Sequence, residues 1–121
     1  MEKIKILICE DEVTSQKAIK NILAKRKYEV YTAQDGEEAL GKAKTLGPDL
    51  IILDIRMPKI DGIEVLKEIR KFNAGVKIII VTAFQSPQIS QEAAKYNIFD
   101  YIVKPLSGEK LIEVVEKALQ R

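Results

Sequence analysis

Leu50-Ile51-Ile52-Leu53 is an apolar run with no polar break, opened by Pro48-Asp49 and stopped by Asp54. A run this short between such punctuation reads as a strand buried on both faces, and strands of that kind belong to parallel sheets covered by helices on each side. The same pattern recurs at 3–9, where Ile4, Ile6, Leu7, Ile8 and Cys9 end in Glu10-Asp11-Glu12, and at 76–82, which ends in Thr82. Shorter strands are expected at 28–33 and 99–103. Between them the apolar spacing turns helical. Segment 13–27 puts Ala18, Ile19, Ile22 and Leu23 on one face, and 63–72 spaces Ile63, Leu66, Ile69 and Arg70 three and four apart. Further helices are expected at 37–46, 87–96 and 108–119. Gly41 should weaken the second helix, and few large apolar residues should leave the fourth loosely docked. Asn97 is expected as a left-handed cap and Asp61-Gly62 as a plain turn. Five strands alternating with five helices define an α/β fold with a parallel sheet. The 121 residues suffice for one domain, expected to span 1–121.

In such a sheet, chemistry collects at the carboxyl edge of the strands. The strand ends deliver Glu10 and Asp11, Asp54, Thr82 and Lys104. Two like charges about 4 Å apart repel by roughly 1 kcal/mol in water and about 4 kcal/mol at an effective dielectric of 20. Three carboxylates at one edge should therefore keep a proton or hold a cation. With oxygen ligands and no histidine, the fitting cation is hard, Mg²⁺ or Mn²⁺. A carboxylate nucleophile, a divalent ion, the Thr82 hydroxyl and the Lys104 ammonium together suit phosphoryl transfer onto an aspartate. Read alone, Glu10-Asp11 could also do no more than cap the first helix, with Asp11 as the capping residue.

The sequence closely resembles the receiver domain of two-component response regulators, single-domain members included. The resemblance spans essentially the whole chain. It rests on Glu10-Asp11, Pro48-Asp49 to Asp54, Met57-Pro58, Asp61-Gly62, Thr82-Ala83, Tyr101 and Lys104-Pro105, in matching order and spacing. It implies a flavodoxin-like doubly wound sheet of order 2-1-3-4-5, which would bring the ends of the first and third strands together. It implies that Asp54 is the phosphoacceptor. Asp11 and Asp54 would bind Mg²⁺, with Glu10 acting through water and the backbone carbonyl of Arg56 completing the shell. Thr82 and Lys104 would contact the phosphoryl oxygens. Tyr101 would act with Thr82 as the switch, and Pro105 would follow a cis bond. Arg56 and Phe84 stand at positions that vary in the family and tune phosphate lifetime. The implied partners are a histidine kinase or histidine phosphotransfer protein and a downstream protein target or effector domain. The expected donor-docking residues are Thr14, Gln16 and Lys17 with the Pro105-Leu106 turn.

Composition narrows the alternatives. A net charge of +2, with lysines interleaved among glutamates, argues against direct nucleic-acid or membrane binding. One cysteine and no apolar span of membrane length suit the cytoplasm. The expected assembly is a monomer or a phosphorylation-dependent dimer, and no conventional turnover enzyme is expected. A dehalogenase-type phosphatase would need an acid where Arg56 stands. A flavin binder would need a Ser/Thr/Gly-rich phosphate loop. A phosphorylation-independent adaptor on the same fold remains the alternative reading.

Overall fold

The computed structural model describes residues 3–120. Five strands and five helices alternate: β1 (Lys5–Cys9), α1 (Val13–Ala24), β2 (Glu29–Ala33), α2 (Gly36–Leu46), β3 (Leu50–Leu53), α3 (Gly62–Phe72), β4 (Lys77–Thr82), α4 (Pro87–Ala94), β5 (Asp100–Val103) and α5 (Gly108–Leu119). All strand pairs are parallel, and the order across the sheet is β2-β1-β3-β4-β5. This is the doubly wound, flavodoxin-like arrangement, with its switch point between β1 and β3.

Because side chains alternate across a strand, each central strand feeds two cores. Leu7, Ile51, Leu53, Ile78 and Ile80 point to the layer of α2, α3 and α4, where Ala39, Leu66, Ile69 and Ala93 meet them. Ile6, Ile8, Leu50, Ile52 and Ile79 point to α1 and α5, against Ile19, Leu23, Leu111 and Val115. That is why the sequence of β3 has no polar break.

Several boundaries differ from the sequence reading, and each has a local cause. α1 stops at Ala24, and Lys27 takes a left-handed φ of 68° that no helix continues through. Ala18 lies exposed, so the apolar stripe is narrower than its spacing suggests. The cap of α1 is Glu12, whose carboxylate accepts from the Ser15 N–H at 3.0 Å; Asp11 does not cap it. α4 ends at Ala94, and Asn97 has the expected left-handed φ of 59°. Asp61-Gly62 is more than a turn: Asp61 caps α3 by accepting from Ile63 and Glu64, and Gly62 is the first, buried residue of that helix. Arg70 does not share the apolar role its spacing implied. Its guanidinium donates to the carbonyls of Tyr96, Asn97, Val76, Asn73 and Ala74, tying the end of α3 to the chain beyond α4.

Candidate phosphoacceptor site

Register sets the site. Cys9 pairs with Leu53, so β1 and β3 end level. The ladder runs one step further, with Asp54 N donating to Cys9 O at 2.9 Å and Glu10 N to Ala33 O at 2.9 Å. Across the sheet, Thr82 pairs with Val103, and Lys104 N donates to Thr82 O at 2.8 Å. The edge therefore gathers Glu10, Asp11, Asp54, Thr82 and Lys104.

Carboxylate oxygens of Glu10, Asp11 and Asp54 lie within 4.8 Å of one another. Glu10 and Asp54 are buried, and Asp11 is exposed. Lys104 Nζ bonds Glu10 Oε1 and lies 3.4 Å from both Asp54 Oδ2 and Ser15 Oγ. The other carboxylate oxygens are held by the backbone. Glu10 Oε2 accepts from Glu12 N at 3.1 Å, and Asp54 Oδ1 accepts from Arg56 N at 3.0 Å. Burial pushes the Glu10 carboxyl above its usual range, more than the Lys104 and Glu12 hydrogen bonds pull it down. Burial alone would lower Lys104, but the bond to Glu10 and the charges of Glu10 and Asp54 outweigh it, and the ammonium is stabilised. A cluster that holds a surplus of negative charge around one lysine, with oxygen donors only, fits a hard divalent cation.

The switch candidates sit beside it. The Thr82 hydroxyl is buried and accepts from Phe84 N at 3.2 Å. The half-buried Tyr101 hydroxyl donates to Phe84 O at 2.9 Å. Phe84 in turn carries the Arg56 guanidinium over its ring at 4.2 Å, which bridges the loops after β3 and β4. The Lys104–Pro105 bond is cis.

Gln16 does not belong to an exposed docking face. It is buried, and its Nε2 donates to the Glu10 carbonyl at 2.9 Å, bracing the strand end that carries the acids. The helical spacing carried the signal: Gln16 stands three residues before Ile19 and seven before Leu23, on the buried stripe of α1. Ser15 was also missed. Its hydroxyl donates to Glu12 at 2.6 Å, and the signal was a hydroxyl three residues past a capping acid.

Comparison with known proteins defines the class. The family model for the response regulator receiver domain matches residues 6–116. The chain belongs to that family, and receiver domains are signalling domains of two-component systems rather than conventional enzymes. The chain is 37% identical over 116 residues to the chemotaxis protein CheY of Bacillus subtilis, covering 95% of this chain and 97% of that protein. It is 39% identical over 117 residues to the transcriptional regulatory protein ZraR of Salmonella typhimurium, covering 97% of this chain. It spans only 26% of that relative's length. A CheY-like receiver domain from Methanospirillum hungatei superposes with a TM-score of 0.93 at 30% identity, covering 96% of this chain and 93% of that one. A structure of the CheX–CheY–BeF3–Mg²⁺ complex from Borrelia burgdorferi matches with a TM-score of 0.91 at 31% identity, covering 98% of this chain and 90% of that one. Among the described residues no helix is long and apolar enough to cross a membrane.

Proposed function

We propose that residues 1–121 form one receiver domain that takes a phosphoryl group onto Asp54 from a histidine kinase or histidine phosphotransfer protein in the cytoplasm. The observation that carries this is the meeting of three carboxylates and Lys104 at one sheet edge. An Asp54 oxygen attacks phosphorus, the P–N bond of the donor's phosphohistidine breaks, and imidazole leaves. The product is an aspartyl phosphate. Asp11, Asp54, the Arg56 carbonyl and, through water, Glu10 would hold Mg²⁺ or Mn²⁺. When bound, the ion neutralises charge on the phosphoryl oxygens. Lys104 supplies a further positive charge to those oxygens, and Thr82 a hydroxyl donor.

The phosphoryl group carries roughly −1.5 to −2 charge units, but Asp54 gives up its own carboxylate charge in the bond. The site therefore gains about one negative unit or less and presents it on three new acceptor oxygens. Thr82 and Lys104 are drawn towards them, and Tyr101 follows through Phe84, whose N–H donates to Thr82 and whose carbonyl accepts from Tyr101. The surface of α4, β5 and α5 then presents itself to a downstream protein or effector domain, as a monomer or as a phosphorylation-dependent dimer. Moving that equilibrium from 1:99 to 99:1 needs about 5.5 kcal/mol of preference for the active state. Donor docking is supported by an apolar groove of about 460 Å³ beside the acceptor, lined by Ala18, Ile22, Pro105, Leu106 and Leu111. Thr14 and Lys17 are exposed on α1 and stay in this proposal; Gln16 leaves it.

Intact mass after incubation with a small-molecule phosphodonor tests the reading. We expect one phosphoryl adduct that needs Mg²⁺ and disappears in Asp54→Asn. An adduct that persists in Asp54→Asn names the wrong nucleophile, and none on folded wild type moves weight to a phosphorylation-independent adaptor. The Arg56–Phe84 stack supports the further reading that this pair shields the acyl phosphate from water. Arg56→Ala and Phe84→Ala should each speed loss of the adduct severalfold; unchanged or slower loss would refute the shield.

A further inference from the structure

The loop from Ile55 to Asp61 joins β3 to α3 and carries both the residue after the acceptor and the Arg56 backbone. Two glycines border it, each in the first turn of a helix. A Cβ built on Gly62 would stand 2.5 Å from Ile55 Cα, 2.7 Å from Asp54 O and 2.9 Å from Ile55 O. All three are backbone atoms, which cannot swing aside as a side-chain tip can. Gly62 N uses that closeness, donating to Ile55 O at 2.7 Å. On the other side, a Cβ on Gly36 would collide with the Ile60 carbonyl, and Gly36 N donates to Pro58 O at 3.2 Å. The Asp35–Lys59 ion pair at 3.4 Å closes the same flank. The loop is thus gripped between the starts of α2 and α3. At its root, Asp54 N is tied to β1 and Arg56 N to the Asp54 carboxylate.

We propose that Gly62 is a positioning residue of the phosphoacceptor site: its lack of a side chain lets the start of α3 close onto Asp54 and Ile55 and hold the acceptor and the Arg56 backbone in one frame. The proposal rests on the receiver reading of the site and deepens it. Gly62 touches neither metal nor phosphoryl group. It acts through the backbone of Asp54, whose carboxylate would, and of Ile55, which precedes the Arg56 carbonyl.

The contrast is with Gly41, on the exposed face of α2, where an added Cβ meets nothing within 4 Å. Gly62→Ala and Gly41→Ala are compared with wild type by amide NMR, by Mg²⁺ titration and by denaturation. In metal-free protein, Gly62→Ala should shift the amides of Asp54, Ile55 and Arg56, and Gly41→Ala should not. Mg²⁺ affinity of folded Gly62→Ala should fall on the order of tenfold or more, as when a metal ligand loses its outer support. If Gly62→Ala does not fold, Asp61 decides. Asp61→Ala removes the cap that seats α3 and should weaken Mg²⁺ binding severalfold, while Asp61→Ser keeps a cap without the charge and should restore it. Wild-type amide positions at 54–56 together with wild-type Mg²⁺ affinity in Gly62→Ala, or equal affinities in Asp61→Ala and Asp61→Ser, would overturn the proposal. Should wild type bind no Mg²⁺ and form no adduct, the receiver reading falls, and the metal-free amide shifts of Gly62→Ala still decide whether the frame depends on this glycine.

Discussion

Glu10 and Asp35 are both carboxylates at the carboxyl edge of the sheet, and the fold moves them in opposite directions. Glu10 is buried, so its folded pKa is raised; its contribution to stability is present in acid and is lost as pH rises through that raised value. Asp35 is lowered, chiefly by the Glu38 N–H it accepts at the start of α2 and also by Lys59. Its contribution is present above the ordinary carboxylate range and is lost as pH falls through the depressed folded value. Asp35→Asn keeps a side-chain oxygen for the cap and removes the titration. We expect its unfolding midpoint to depend less on pH than that of wild type between about pH 5 and pH 3. Denaturation at matched pH values checks this; parallel profiles would show that Asp35 contributes no pH dependence.

Among the elements, α4 is held mainly at one end. Ala93, near its C-terminus, is its only fully buried residue; Ile89 is half-buried and Ala94 exposed. The chain just past α4 is fixed by Arg70 through the Tyr96 and Asn97 carbonyls at 2.7 and 2.9 Å. The other end follows a loop tied to Thr82 and Tyr101 through Phe84. Arg70→Met should cost roughly 1–3 kcal/mol of stability, the scale of hydrogen bonds to a charged group. It should also speed amide exchange at 95–99 on the order of tenfold beyond any global effect, because that segment loses its local anchor. Exchange that rises uniformly along the chain would show that Arg70 acts on global stability alone.

For the whole molecule, a cation held by the acid cluster would couple folding stability to the proposed signalling site. A ligand that binds only the folded state at a hundred times its Kd stabilises by about 2.7 kcal/mol. Excess Mg²⁺ should therefore raise the thermal midpoint of wild type by several degrees, and Asp11→Asn should lose most of that gain. An equal gain in both proteins would point to nonspecific ion effects and away from Glu10, Asp11 and Asp54.

The sequence by itself determined the alternation of elements, the burial of the central strands on both faces, and which residues end those strands. These follow from apolar periodicity and turn chemistry, which are local. Through resemblance to the receiver family it also pointed to the strand order and the roles of Asp54, Thr82, Tyr101 and Lys104. Local pattern also carried the Glu12 cap, through Ser15 three residues on, and the inward face of Gln16, through its spacing from Ile19 and Leu23. Only the tertiary structure decided that the Gln16 amide meets the Glu10 carbonyl and that Arg70 reaches across to the end of α4. It also decided that Gly62 lies against the backbone of Asp54 and Ile55. Each of these depends on what packs against a residue from elsewhere in the chain, 26 and 27 positions away for Arg70 and its Tyr96 and Asn97 acceptors, and no local period encodes that distance.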